Sequence, residues 1–242
     1  MNIKEDNTVA EIVVKNIKAA HIFKKHGIDF CCGGGITIEK ACAKNKANFD
    51  ELKAEFEALD SNLDRSYNYD KWELDFLIDH IINIHHTYVE ENIPLLVQYT
   101  NKVAKVHDHH YTELIEINNL VSDVVKELSA HLKKEELILF PYIKKLVKAF
   151  KDGTELERPH FGSIENPVQM MYEEHDHAGS VFKRIAVLTN NYNTPEGACN
   201  TFKALYSKLE EFEQDLHQHI HLENNILFPK AITLKKQISK SL

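Results

Sequence analysis

Two stretches of the chain place a histidine four residues ahead of a glutamate inside nearly the same phrase. Residues 131–141 read HLKKEELILFP and residues 219–229 read HIHLENNILFP. The copies lie 88 positions apart and share His131/His219, Glu135/Glu223, Ile138/Ile226, Leu139/Leu227, Phe140/Phe228 and Pro141/Pro229. On a helix this spacing sets the two side chains about 40° apart on one face. Two imidazoles and two carboxylates delivered by a repeated helix are the parts of a paired metal site. A single histidine on an amphipathic face is usually packing or surface. The doubled pattern is different, because core packing disfavours several buried ionisable groups without partners.

The elements that must position these residues are helices. The chain of 242 residues has only 8 glycines and 6 prolines, and its long stretches follow a helical period. Four long amphipathic helices are expected at about 71–105, 111–150, 167–190 and 195–236, forming an antiparallel bundle of two duplicated pairs. Pro94 and Pro141 fall inside two of them, where kinks or a restart are expected. The third helix carries the apolar stripe Met171, Ala178, Phe182, Ile185 and Thr189. That stripe turns His175 inward and His177 outward. The first helix offers His85 and His86, of which only one should point inward at the right height. Helical phase slightly favours His85, while the 88-residue offset from His175 lands on position 87 and selects neither. The set is thus one histidine from the first helix with His131, Glu135, His175, His219 and Glu223. Four imidazoles and two carboxylates exceed one tetrahedral zinc. They suit two ions bridged by the carboxylates, and without thiolates they favour iron or manganese. His107 lies too far along its helix to join the site. His217 and His221 fall on the opposite face from His219 and read as solvated, and His109 and His110 read as an exposed turn.

Residues 1–60 read as short helices, with capping-box spacings at Thr8/Glu11 and Asn48/Glu51 and a stop at Gly27. Between two of them lies IDFCCGGG. Three consecutive glycines demand a tight loop with exposed backbone, and nearby N–H groups should lower a thiol pKa. Cys31 and Cys32 therefore read as redox or metal-handling thiols, and Cys42 and Cys199 as core. Residues 61–70 read as a linker to the bundle at 71–242. The net charge of −8 argues against a general nucleic-acid binder. No apolar run is long enough to span a membrane, and the N-terminus MNIKEDNTVAEIVV has no signal-like core, so a cytoplasmic location is expected.

The phrases GIDFCCGGG, DHIINIHH, HLKKEELILFP, EEHDHAG and HIHLENNILFP, in this order, resemble the repair-of-iron-centres family of YtfE/ScdA-type di-iron proteins. The resemblance covers essentially the whole chain. It implies an all-α fold: a small cysteine-bearing ScdA-N-like domain followed by a hemerythrin-like four-helix bundle. It implies two non-haem irons, carboxylate-bridged, held by His86, His131, Glu135, His175, His219 and Glu223. The family's first-helix histidine lies eight residues before a proline, which selects His86 ahead of Pro94. His107 matches a recurring family histidine in a supporting place. The charged loop at 151–166 is longer than the family pattern. The implied function is repair of iron–sulfur clusters damaged by nitric oxide or oxidative stress, with damaged iron–sulfur proteins as partners. One iron is expected to be labile because fewer ligands hold it, and Cys31 and Cys32 to receive iron, move nitric oxide or dock the target. Two alternatives stand beside this reading: a nitric-oxide-reducing enzyme, and a sensor that binds dioxygen or nitric oxide. A homodimer is left open.

Overall fold

The computed structural model describes residues 3–59 and 68–241. Most of the proposed linker, residues 61–67, therefore lies outside the described part. Four short helices build the N-terminal unit: α1 (Val9–Lys15), α2 (Ala19–Lys25), α3 (Ile38–Asn45) and α4 (Phe49–Leu59). The expected caps form. Thr8 accepts from Glu11 N at 3.2 Å while the Glu11 carboxylate accepts from Thr8 N at 3.1 Å. Gly27 takes the left-handed φ of 69° that ends α2. The glycine loop folds back on α1, where Ala10 N donates to Gly34 O at 2.8 Å. A Cβ on Gly34 would stand 2.5 Å from Phe30 O, so only glycine closes this turn.

The bundle contains α5 (Leu74–His80) and α6 (Thr87–His107), α7 (Glu113–Lys134) and α8 (Phe140–Asp152), α9 (Glu165–Leu188), then α10 (Asn200–Leu222) and α11 (Phe228–Ser241). The last helix begins five residues later than expected, because residues 195–199 form a turn that Cys199 closes as N-cap. The kinks expected at proline give way to a different device. Three wide π-helical turns, Ile81–His86, Glu135–Leu139 and Glu223–Leu227, join α5 to α6, α7 to α8 and α10 to α11. Pro141 comes two residues after the second, as Pro229 does after the third, and α6 remains helical through Pro94. A π turn admits one extra residue without breaking the helix and re-aims the side chains on it. Only α9 reaches the middle of the bundle without one.

The buried apolar residues fall into two groups. One joins the N-terminal unit to α6, α7, the second half of α9 and α10. The other packs α5, α8, α11 and the start of α9, with Phe140, Phe228, Leu139 and Leu227 fully buried. A polar layer of histidines and glutamates lies across the bundle between them.

Candidate metal centre

All six residues of the polar layer are buried: His86, His131, Glu135, His175, His219 and Glu223 are each 3% exposed or less. They form two clusters that share both carboxylates. His86, His219, Glu135 and Glu223 converge on one, and His131, His175, Glu135 and Glu223 on the other, with ligand atoms within 4.8 Å of one another in each. Each glutamate opens its π turn, with a histidine four residues earlier in the preceding helix. His86 closes the π turn of the first helix, and His175 sits on the unbroken α9.

Six of the polar atoms at the centre lack hydrogen bonds. His86 Nε2, His219 Nε2 and both oxygens of Glu135 and Glu223 are buried and unpartnered. The nearest His–Glu approaches are 3.1 to 3.4 Å, without hydrogen-bond geometry. An unsatisfied buried group costs about 1–3 kcal/mol, more when charged. His131 Nε2 and His175 Nε2 stand 3.0 Å apart, while both rings direct Nδ1 to other partners. Two imidazole nitrogens so placed need a cation between them, either a proton or a metal ion. Burial opposes a charge on His131, but Glu135 and Glu174 outweigh it and push its pKa up to about 10. Burial and Glu223 push the Glu135 carboxyl up, yet His131 and His86 hold it below the usual range. Burial is likewise overcome at Glu223 by His219 and His175. The two carboxylates therefore stay ionised although fully buried, and the donor set fits two cations that share them.

Surrounding residues hold the rings. His86 Nδ1 meets Glu136 at 2.9 Å, His131 Nδ1 meets Glu174 at 2.8 Å, and His175 Nδ1 meets Asn224 Oδ1 at 2.7 Å. Lys134 binds the other oxygen of Glu174, and this pairing, with His131 contributing most, lowers the Glu174 pKa to about 2. Phe140 stacks on His86 with centroids 5.6 Å apart, and Phe228 stacks on His175 at 6.1 Å. The ILFP tails, readable only as packing, thus also fix ligand planes. Glu136 and Asn224, each directly after a central glutamate, went unnoticed in the sequence, although matching positions in the two copies mark them.

His85 departs from expectation. Both His85 and His86 point inward, because the π turn widens the arc they share. His85 joins neither cluster; it bonds Asp215 through Nδ1 at 2.9 Å and stacks flat on His219. His107 lies away from the centre, as expected, 3.3 Å from Cys199 Sγ. Cys199 is exposed rather than core, since it sits in the turn before α10. Cys42 is buried, His177 is exposed beside Glu127, and His109 and His110 are exposed.

His217 and His221 are not solvated. His221 is 1% exposed and His217 is half-buried, because the N-terminal unit docks on them. Phe30 packs edge-on against both rings at 5.9 and 6.0 Å. Burial lowers the His221 pKa to about 4, so the ring is neutral, with Asn225 Nδ2 2.9 Å from its Nδ1. Asn225 Nδ2 also donates to Phe30 O and Cys31 O at 3.3 Å, and Lys24 pairs with Glu213 at 2.7 Å. The cysteine loop is thereby fastened to the π turn that carries Glu223. The loop does not lower the Cys31 pKa. Its backbone N–H groups are taken by Asp29, which accepts from Cys31 N at 2.9 Å and Cys32 N at 3.1 Å. Cys31 instead hydrogen-bonds Cys32 with its sulfur and is buried, and these raise its pKa well above the ordinary thiol value, with the Asp29 charge adding to them. Cys32 is half-buried against Gly179 of α9.

A bundle crossed by a buried layer of four histidines and two glutamates defines a cation-binding protein of the hemerythrin class. Residues 77–231 match the Hemerythrin HHE cation binding domain, and residues 5–60 match ScdA_N, a domain of unknown function. Relatives include the iron-sulfur cluster repair protein YtfE of Pectobacterium atrosepticum, 36% identical over 227 residues, which is 94% of this chain and 97% of that protein. The protein of the same name from Yersinia pseudotuberculosis is 37% identical over 215 residues, covering 89% and 91%. The chain belongs to the hemerythrin HHE family, carries an N-terminal ScdA_N domain, and is similar over most of its length to the YtfE proteins.

Proposed function

We propose that this protein holds two irons and uses them to repair iron–sulfur clusters damaged by nitric oxide or oxidants. The observation that carries the reading is the pair of buried clusters sharing Glu135 and Glu223, whose four carboxylate oxygens have no hydrogen-bond partner. The name of its relatives supports the repair role. His86 and His219 would hold one ion and His131 and His175 the other, with Glu135 and Glu223 available to both. Bound there, iron would supply a redox-active cation and a cargo for damaged clusters. The protein's own residues fix ring tautomers through Glu136, Glu174 and Asn224, and shield the layer with Phe140 and Phe228. Cys32, the less buried thiol of the pair, meets the incoming iron–sulfur protein, with Cys31 behind it.

Metal analysis tests the first half of this proposal. About two irons per chain are expected, as in other di-iron bundles, with loss in Glu135→Ala or Glu223→Ala. One zinc per chain would refute it. For the second half, iron-loaded protein is mixed with a dehydratase whose cluster nitric oxide has destroyed. Dehydratase activity should return in proportion to the iron lost from the bundle. No recovery with the bundle still loaded sinks the repair role.

A further inference from the structure

The two clusters offer the same number of ligands, two imidazoles and the two shared carboxylates, so ligand count cannot make one ion more labile than the other. The surroundings differ. The duplication relates His131 to His219, and in the helices facing them His175 and His86 take corresponding places in the two clusters. Glu136 and Asn224 follow the equivalent glutamates and each fixes the histidine of a facing helix, so this part of the symmetry holds. The next part breaks. Glu174, the residue before His175, accepts from His131 Nδ1. The equivalent residue, directly before His86, is His85. It reaches His219 only by stacking, with parallel rings 5.6 Å apart, and its own Nδ1 is turned to Asp215. His219 Nδ1 is buried and has no hydrogen-bond partner.

We propose that the ion between His86 and His219 is the exchangeable one, and that His85, standing where the other half has Glu174, makes it so. This deepens the di-iron reading above and rests on it. A carboxylate on Nδ1 makes an imidazole a stronger ligand and locks its orientation, and loss of such a partner typically weakens metal binding about 10- to 100-fold. Three of the four histidines have a fixed Nδ1 partner. His219 alone does not, so its bond is the first to exchange. Release is ligand substitution: the acceptor's donor atoms replace His219 Nε2, His86 Nε2 and the carboxylate oxygens. No electron moves and the ion keeps its oxidation state. His85 acts through His219 and is a positioning residue.

Stopped-flow mixing of the ferrous protein with excess ferrous chelator reads the release directly as absorbance. Two phases of equal amplitude are expected, their rates about 10- to 100-fold apart. His85→Glu, which supplies the missing acceptor, should slow the fast phase alone. Glu174→Gln, at a half-buried position, should quicken the slow phase alone. A single phase, or Glu174→Gln acting on the fast phase, overturns the assignment. So does a His85→Glu variant that binds both irons and releases them at unchanged rates. If that variant fails to fold, His85→Gln and the Glu174→Gln result decide. Failure of the di-iron reading looks different: the unmodified protein would deliver no two-iron signal at all.

Discussion

At Cys31 the chemistry turns on a neighbouring sulfur, burial and one carboxylate. Three glycines in sequence suggest backbone N–H groups free to stabilise a thiolate, but Asp29 collects those of Cys31 and Cys32. The thiol is hydrogen-bonded to a second sulfur and buried, with a negative charge nearby, so its pKa is raised and it keeps its proton. A raised pKa means a smaller thiolate fraction at any given pH, hence slower alkylation. Labelling with iodoacetamide at pH 7.5, read by mass spectrometry, should modify exposed Cys199 first and Cys31 last with Cys42. Labelling of Cys31 should accelerate only above the ordinary thiol range, and earlier in Asp29→Asn. Fast labelling of native Cys31 at neutral pH would contradict this. Residues that touch the centre through chemistry of their own carry a mark in the sequence: the doubled His and Glu spacing marks four of the six, and the apolar stripe of the third helix marks His175. Residues that act through a neighbour, such as Glu174 and Asn224, are not legible in this way, because an exposed-looking acid or amide on a helix carries no mark of what its carboxylate or carbonyl accepts.

The helices were legible to within a few residues from their apolar period and caps. Their π turns were not. An inserted residue leaves the flanking period intact, so sequence spacing counts it as ordinary helix, and the prolines just behind it look like the break. These turns explain how His85 and His86 can both face inward. They also yield a test. Leu137 lies in the Glu135–Leu139 turn and is 72% exposed. Deleting it should restore a plain α turn, leaving the flanking helices in register and far-ultraviolet circular dichroism unchanged. The Glu135 carboxylate and its Glu136 neighbour would be re-aimed, and bound iron should fall by half or more. Full iron content in the deletion variant would show that the wide turn is incidental.

Across the whole molecule, the surprise is the face carrying His217 and His221. Viewed on its own helix it is polar and opposite the site, which reads as solvent. It is covered by a unit more than 150 residues earlier in the chain, and no local pattern reports that contact. Lys24 bonds Glu213, whose side chain is 6% exposed while the lysine is 32% exposed. Lys24→Met should leave that carboxylate without its partner and cost about 1–3 kcal/mol, seen as a lower urea midpoint. Glu213→Gln in the same background should recover part of the loss. An unchanged midpoint for Lys24→Met would mean that the ion pair does not hold the docked unit. No described helix is long and apolar enough to cross a membrane.

The ligating layer ties together points of the chain as distant as His86 and Glu223. Each bound ion therefore acts as a cross-link, closing long loops that the unfolded chain would otherwise leave open. Stripping the iron removes these ties and leaves Glu135 facing Glu223 with only protons to compensate them. The protein without iron should melt lower, by the equivalent of about 4 kcal/mol where metal stood at a thousand times its dissociation constant. Amide exchange should then quicken first in Ile81–His86, Glu135–Leu139 and Glu223–Leu227, the turns with the widest hydrogen-bonded rings. The cysteine loop is pinned to the last of these through Asn225, so it should loosen with it. An emptied centre would thus be reported at the protein's surface.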